Sequence, residues 1–312
     1  MPLHLIVFAG FYAAGRHAVH YADTLVQAVR GRLVLLHVER ASFFDPRELV
    51  GNSYRHEEMA RQTDTAAALH QLAQGLHVHP LVEVATDLLP SVAQDLAARY
   101  APALFVLSPP SPDSVSAAAV ATECAGLLRA GNYPLLVVPA TATADQPPRR
   151  FLIAADAEAF ELTAAAQPWC QLLRMPGAHV VVAHVSSGVE DDAGCSAALR
   201  VVQASGLVGG LPAPELRGYE HDDYTEGLLA AVQDTRADMV VVLARERSYL
   251  GELFHRSVTA RLLERCPVPV LVLPVVPEAP VVPEAVPAEQ SVVSAATAQW
   301  AAGVLGGLSP AN

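Results

Sequence analysis

The sequence is poor in cysteine and lacks the common catalytic signatures. Only 4 cysteines occur in 312 residues, and no two of them form a Cys-x-x-Cys pair. Neither a structural zinc site nor a redox dithiol is therefore indicated. A Walker loop, a G-x-G-x-x-G fingerprint and a G-x-S-x-G nucleophile elbow are also missing. We predict no catalytic residue and no metal ligand set, and we expect a protein that is not an enzyme.

Basic residues and long hydrophobic runs are scarce as well. Lys and Arg number 20 against 32 Asp and Glu, and the formal net charge of −12 disfavours nucleic acid or an anionic membrane as a partner. The apolar run near the N-terminus has no basic region before it and is too short for a signal sequence or a membrane span. Residues 291–308 carry no charge, but Ala, Gly, Ser and Thr make them too weakly apolar for a span. We expect a cytoplasmic protein.

An internal repeat organises the rest of the sequence. Four short apolar segments recur in the same order in both halves of the chain, which gene duplication explains better than chance. Each segment is a continuous apolar run, as is typical of strands buried on both faces of a parallel sheet. Amphipathic helical patterns lie between them. The matched pairs are Leu5–Gly10 with Phe151–Asp156, Leu33–Val38 with Val180–Val185, Leu104–Leu107 with Val240–Leu243, and Pro134–Pro139 with Pro269–Pro274.

This alternation predicts an α/β fold made of two tandem, doubly wound, Rossmann-like domains, each with a five-stranded parallel sheet. We place the first domain at residues 1–140, a linker at 141–149 and the second domain at 150–275. Residues 276–312 are rich in Pro and Ala, and we expect them to form a mobile tail.

The repeated segments resemble the universal stress protein family. In that family the first strand ends in Asp, a helix follows, and the second strand ends in a His-Val pair. Both halves have the pair, as His37-Val38 and His184-Val185, and Cys266–Pro274 is similar to the last strand of the family. The resemblance covers residues 3–139 and 150–274 and implies the adenine-nucleotide alpha hydrolase-like variant of the fold.

The resemblance also shows where the nucleotide site of the family is lost. ATP-binding members carry a G-x2-G-x9-G-[ST] loop whose glycines let the backbone approach phosphates. In the second half Ala244, Arg247 and Arg256 stand at the glycine positions, and only Ser257 survives. The first half has no glycine in this stretch, has prolines at 109, 110 and 112, and has Gly10 in place of the first-strand Asp.

We therefore expect the first half to bind no nucleotide and the second half to hold, if anything, ATP, ADP or AMP. Arginines hold phosphate by charge-assisted hydrogen bonds without a glycine loop, and Arg245 adds positive charge beside the loop. Asp156 is the acid that ends the first strand of the second half. The alternative to a nucleotide-binding role is that this carboxylate caps its own loop. The candidate nucleotide-site residues are Asp156, Val185, Arg247, Arg256, Ser257 and Val258.

The resemblance implies a non-enzymatic stress-response protein with a degenerate nucleotide site. Two alternatives remain open at this point. One is a protein that binds or hydrolyses ATP through the second half, and the other is a metal-binding sensor that uses His77 and His79. For His37 and His184 we expect structural hydrogen bonds, and for Asp222 and Asp223 a helix cap.

The same resemblance predicts how the halves associate. In the family, domains pair through the last strand, and an apolar last strand left at the sheet edge would be exposed. We expect an intramolecular pseudo-dimer in which residues Leu135–Val138 and Val270–Leu273 lie near the contact.

Overall fold

The structure, a computed structural model, describes residues 2–9, 13–38, 67–85, 89–108, 133–188, 192–245 and 258–277. The predictions for Gly10, for the proline-containing stretch after residue 108 and for the tail beyond Pro277 lie outside these ranges. So do three of the six candidate nucleotide-site residues, Arg247, Arg256 and Ser257.

The first half folds as a doubly wound parallel sheet. Its strands lie in the order β3-β2-β1-β4-β5, and every neighbouring pair is parallel. Helix α1 packs on the sheet because Val19, Ala22 and Val26 recur on one face and are fully buried. The elements are β1 (His4–Phe8), α1 (Ala13–Ala28), β2 (Arg32–Val38), β3 (Leu81–Ala85), α2 (Leu89–Arg99), β4 (Ala103–Leu107) and β5 (Leu135–Val137). Residues 67–74, between β2 and β3, are also helical.

The second half repeats this strand order. Five of its strands lie in the order β11-β10-β6-β8-β9, which is the arrangement of the first half read from the other edge. The elements are β6 (Arg150–Ala154), β7 (Phe160–Leu162), a 3-10 helix (Gln167–Arg174), β8 (His179–Ser186), α3 (Asp192–Ala204), β9 (Glu215–Glu220), α4 (Tyr224–Thr235), β10 (Met239–Arg245), α5 (Val258–Arg265) and β11 (Val270–Pro277). The prediction of an α/β fold with two doubly wound sheets is confirmed.

The two sheets join edge to edge through their last strands. β5 and β11 pair in antiparallel orientation, with Leu136 opposite Leu271, and both of these side chains are fully buried. The result is one continuous sheet, and residues 1–278 form a single compact unit. The strands that the sequence places near the contact between the halves are thus hydrogen-bonded neighbours.

The first connection of the second half departs from the strand–helix–strand pattern. Where α1 joins β1 to β2, the connection from β6 to β8 consists of β7 and the 3-10 helix, which has a proline in its first turn and carries the fully buried Trp169. β7 pairs with the end of β11 in antiparallel orientation, with Leu162 opposite Val275. This pairing extends β11 to Pro277, so the expectation that a mobile tail begins at residue 276 is wrong for the first two residues.

In the described part of the chain, no helix is both long enough and apolar enough to cross a bilayer.

Candidate functional site

A pocket of about 340 Å³ opens at the carboxyl ends of three strands in the second half. β6, β8 and β10 supply its floor, and α4 and α5 supply one wall. From β6 the chain adds β8 and β9 on one side of the sheet and then β10 and β11 on the other side. Open α/β sheets bind ligands at the point where the strand order reverses in this way. The lining residues are mostly apolar: Ala154, Ala155, Asp156, Ala183, Val185, Tyr224, Leu228, Val242, Leu243 and Val258.

Asp156 is paired with an arginine from the neighbouring strand. Arg245 Nη1 donates to Asp156 Oδ2 over 2.6 Å, and Arg245 Nη2 donates to Asp156 Oδ1 over 2.8 Å. The Arg245 side chain is only 17% exposed, whereas that of Asp156 is 53% exposed. The hydrogen bonds to Asp156 raise the pKa of the Arg245 guanidinium above its ordinary value, in spite of its partial burial. The Arg245 guanidinium therefore binds both carboxylate oxygens of Asp156.

Glu158 also contacts Arg245, through its backbone carbonyl and its carboxylate. Arg245 Nη2 donates to the carbonyl oxygen of Glu158 over 2.9 Å, and Arg245 Nε lies 3.5 Å from a Glu158 carboxylate oxygen. The backbone amide of Glu158 in turn donates to Asp156 Oδ1 over 3.1 Å. This last bond is an Asx-type turn. Asp156 thus caps its own loop, as the alternative interpretation of the sequence expected.

A histidine beneath the pocket ties β8 to the end of β6. His184 Nδ1 lies 3.1 Å from the carbonyl oxygen of Ala155, and the equivalent His37 Nδ1 lies 3.4 Å from the carbonyl oxygen of Ala9. The prediction that these two histidines make a shared structural hydrogen bond is confirmed. The contact fixes the backbone beside Asp156.

The α4 wall is held by a cap and an ion pair. Asp223 Oδ1 accepts hydrogen bonds from the amides of Thr225 and Glu226, which confirms the predicted helix cap for Asp223. Arg261 of α5 donates to both carboxylate oxygens of Asp223. The Arg261 hydrogen bond is the main cause that lowers the pKa of Asp223 to about 2. α4 and α5 are therefore joined at the point where Tyr224 and Val258 reach the pocket.

Gly227 lets α4 approach β8. A Cβ atom at this position would lie 2.5 Å from Val185 Cγ1, which is too close for any other residue unless the helix or the Val185 side chain shifts. The close approach places Leu228 and Val185 on adjoining walls of the pocket.

The structure brings together three of the candidate residues named from the sequence. Asp156, Val185 and Val258 line one pocket, while the remaining three lie outside the described residues. From the sequence, Arg245 is only an added positive charge beside the loop, and its binding to Asp156 was not predicted. Their positions offered a signal for this contact. Asp156 and Arg245 lie at or just after the carboxyl ends of β6 and β10, which are neighbouring parallel strands. Tyr224 and Leu228 were missed because they lie far from the loop that carries the family motif.

His77, one of the two histidines proposed for a metal site, is hydrogen-bonded to a buried aspartate. Asp23 of α1 is 2% exposed, and its Oδ2 accepts from His77 Nδ1 over 2.7 Å and from the His77 amide over 2.9 Å. His77 is therefore held by a buried carboxylate. Within the ranges that the structure describes, no cluster of three or more metal-ligating side chains occurs.

Strand order and pocket position together define a doubly wound α/β protein with a pocket at the carboxyl ends of its strands, where proteins of this class bind ligands. Residues 147–274 match the profile of the universal stress protein family. The resemblance to that family is thereby confirmed, and the second half of the chain is a universal stress protein domain.

Solved structures extend the likeness in fold to both halves. A universal stress protein from Archaeoglobus fulgidus superposes with a TM-score of 0.61 at 16% identity, covering 86% of this chain and 95% of that one. The cytoplasmic domain of a prokaryotic cation chloride cotransporter superposes with a TM-score of 0.51 at 10% identity, covering 87% and 94%. At these identities the likeness shows the fold alone. No curated protein sequence matches the chain significantly.

Proposed function

We propose that the chain is a non-enzymatic stress-response protein of its family that works through protein partners and has a degenerate nucleotide site. The observation that carries this proposal is the pair between Arg245 and Asp156. In the family the equivalent acid serves the adenosine end of a nucleotide. Here its two oxygens already accept hydrogen bonds from a guanidinium, so a ribose hydroxyl would have to compete with a charge-assisted pair.

The geometry of the Arg245–Asp156 pair supports a degenerate nucleotide site in a second way. Arg245 also binds the carbonyl oxygen of Glu158, so its guanidinium is held on more than one side and loses little entropy by staying in place. The Asp156 carboxylate is poorly placed to act as a general base, because taking up a proton would break its two hydrogen bonds with Arg245. The pairing of β5 with β11 further supports a built-in pseudo-dimer that presents both halves as one unit.

The experiment is native mass spectrometry of the purified full-length protein, followed by calorimetry with ATP, ADP and AMP. We expect no co-purified nucleotide and no saturable binding tighter than about 100 μM, which corresponds to roughly 5–6 kcal/mol. Arg245→Ala frees Asp156 and is expected to bring adenosine binding into a range that NMR titration detects. Arg217→Ala, which removes a surface partner of Glu215, is the matched control.

A second candidate function is nucleotide binding in the second half, and the pocket lined by Asp156, Val185 and Val258 favours it. In this case the phosphates would be held by Arg247, Arg256 and Ser257, which directly precedes α5 in the sequence, with AMP, ADP or ATP as ligand. Side-chain charge would carry most of the affinity, so binding would weaken steeply with salt. A wild-type protein that binds ATP and loses it on Arg247→Ala/Arg256→Ala would support this candidate against the first.

A further inference from the structure

The pocket at the carboxyl ends of β6, β8 and β10 has the chemistry of an apolar ligand site. Eight of its ten described lining residues are Ala, Val or Leu, and Asp156 is the only one of the ten that carries a charge. Arg245 already binds both oxygens of that carboxylate. The described lining therefore offers a ligand mainly apolar surface, and burial of apolar surface is a large source of affinity for small molecules.

Two alanines form part of the pocket floor where the first half has larger residues. Ala154 of β6 and Ala183 of β8 lie opposite each other in the parallel register. The repeat places Phe8 and Leu36 at the same two positions of the first half, where they too lie opposite each other. All four side chains belong to, or pack against, one apolar cluster, and the Phe8 ring centroid lies 6.4 Å from that of Phe105. The second half thus has two small side chains where the first half has a ring and a branched chain.

Tyr224 supplies an aromatic ring to the lining. It is 45% exposed, so its ring is open to contact from outside the protein. Aromatic rings attract one another in offset or edge-on geometry. The pocket volume of about 340 Å³ is roughly twice the volume of about 150 Å³ at which an apolar cavity holds one benzene ring. The pocket therefore has room for two fused rings.

We propose that this pocket binds an uncharged bicyclic aromatic molecule, whose rings lie between Tyr224 and the floor at Ala154. This inference rests on the proposed loss of the nucleotide site, and it names the class of ligand that the altered site accepts instead. An anionic ligand would meet the Asp156 carboxylate, and the described lining holds no cation to offset it. A sugar would give up hydrogen bonds with water that apolar walls do not replace. Apolar rings make no such sacrifice on entering the pocket.

The test is an NMR saturation-transfer titration of the full-length protein with indole and with 2-naphthol. We expect saturable binding of at least one of them, with a dissociation constant of about 1 mM or tighter for a ligand of about ten heavy atoms. Indole-3-acetate adds a negative charge and adenosine adds a ribose, so each should bind at least about tenfold more weakly. Absence of saturable binding of both rings overturns the proposal, and so does adenosine binding as tight as that of indole.

Ala154→Phe tests the floor of the pocket, because it introduces the residue that the first half has at this position. We expect it to weaken indole binding by about fivefold or more, since the added ring takes up the space of the ligand. Ala154→Leu adds less volume and replaces it if the larger side chain lowers the melting temperature. Ala204→Phe is the matched control, because it adds the same ring at an exposed position of α3 outside the pocket. Unchanged binding in a folded Ala154 variant overturns the proposal, and so does an equal loss in Ala204→Phe.

Tyr224→Ala tests the aromatic ring of the lining without a change to the floor. It should weaken indole binding by about threefold or more, whereas Tyr224→Phe, which keeps the ring, should leave it unchanged. Indole binding that is unchanged in Tyr224→Ala contradicts the placement of the ligand against this ring. Failure of both rings to bind leaves the proposed loss of the nucleotide site standing. That proposal fails instead if calorimetry shows ATP binding that depends on Arg247 and Arg256.

Discussion

The two halves of the chain share a strand order but differ in how their first strands continue. In the first half β1 is followed by the 16-residue helix α1. In the second half β6 is followed by Asp156, which pairs with Arg245, and then by the short strand β7 and a 3-10 helix that contains Trp169. The comparison teaches that repeated apolar runs are enough to preserve a sheet, because strand pairing needs only buried hydrophobic faces. The connections are free to diverge, and the site diverges with them.

The largest expected effect concerns the connection that is special to the second half. Trp169 is fully buried between the sheet and its own helix. Trp169→Ala is expected to lower the free energy of unfolding by about 3–5 kcal/mol, the usual cost of a large-to-small change at an aromatic core position. Urea unfolding followed by circular dichroism measures it.

Phe is the control for the cavity, since Trp169→Phe keeps most of the apolar volume and removes an indole nitrogen that has no hydrogen-bond partner among the described residues. We expect it to recover most of the loss. Equal loss in both variants would contradict the view that packing volume is what matters here.

The next prediction tests whether the halves unfold together. Leu136 of β5 lies in the first half but faces Leu271 across the shared sheet. Leu136→Ala is expected to cost about 2–5 kcal/mol and to shift the unfolding of the second half as well. A Trp300→Phe background leaves Trp169 as the only tryptophan of the 2 in the chain, so its fluorescence reports on the second half alone.

Independent halves would leave the Trp169 transition unchanged while the circular dichroism transition splits into two. Val19→Ala, a buried change in α1, which packs on β1, β2 and β4 of the first half, serves as the comparison for a lesion away from the β5–β11 pairing.

A smaller effect is expected at the ion pair that only the second half has. Arg245→Ala should lower the free energy of unfolding by about 1 kcal/mol, because the pair is partly exposed and screened by solvent. Differential scanning calorimetry at low and high salt measures the loss. The difference between wild type and variant should shrink at high salt. A salt-independent loss would point to packing of the arginine stem instead.

The smallest effect is a pH dependence at the α4 wall. Because the pKa of Asp223 falls from 3.8 to about 2 on folding, the stability it contributes is fully present above pH 3.8. This contribution disappears as the pH falls through about 2. Asp223→Asn keeps the helix cap but loses the charge that Arg261 binds. The melting temperatures of wild type and variant should therefore differ above pH 4 and converge toward pH 2. A difference that persists unchanged at pH 2 would contradict the assignment to Arg261.

Much of the fold was determined by the sequence alone. The continuous apolar runs at Leu33–Val38 and Val180–Val185 predict buried parallel strands, and their repetition predicts the same strand order twice. The cap at Asp223 and the hydrogen bonds of His37 and His184 were also predicted, because each depends on residues close to a strand or helix end. These signals are local or periodic, and such signals survive without tertiary information.

Tertiary structure decided what depends on residues distant in the chain. Asp156 and Arg245 are 89 positions apart, and only the parallel pairing of β6 with β10 brings their side chains together. The replacement of a helix by β7 was hidden as well, since its partner is the end of β11, in a stretch whose composition indicates a tail. The linker likewise lies between the halves, where Thr24 Oγ1 of α1 donates to the carbonyl oxygen of Ala144, 120 positions away. In each case the energy comes from a long-range contact, and no local pattern in the sequence encodes it.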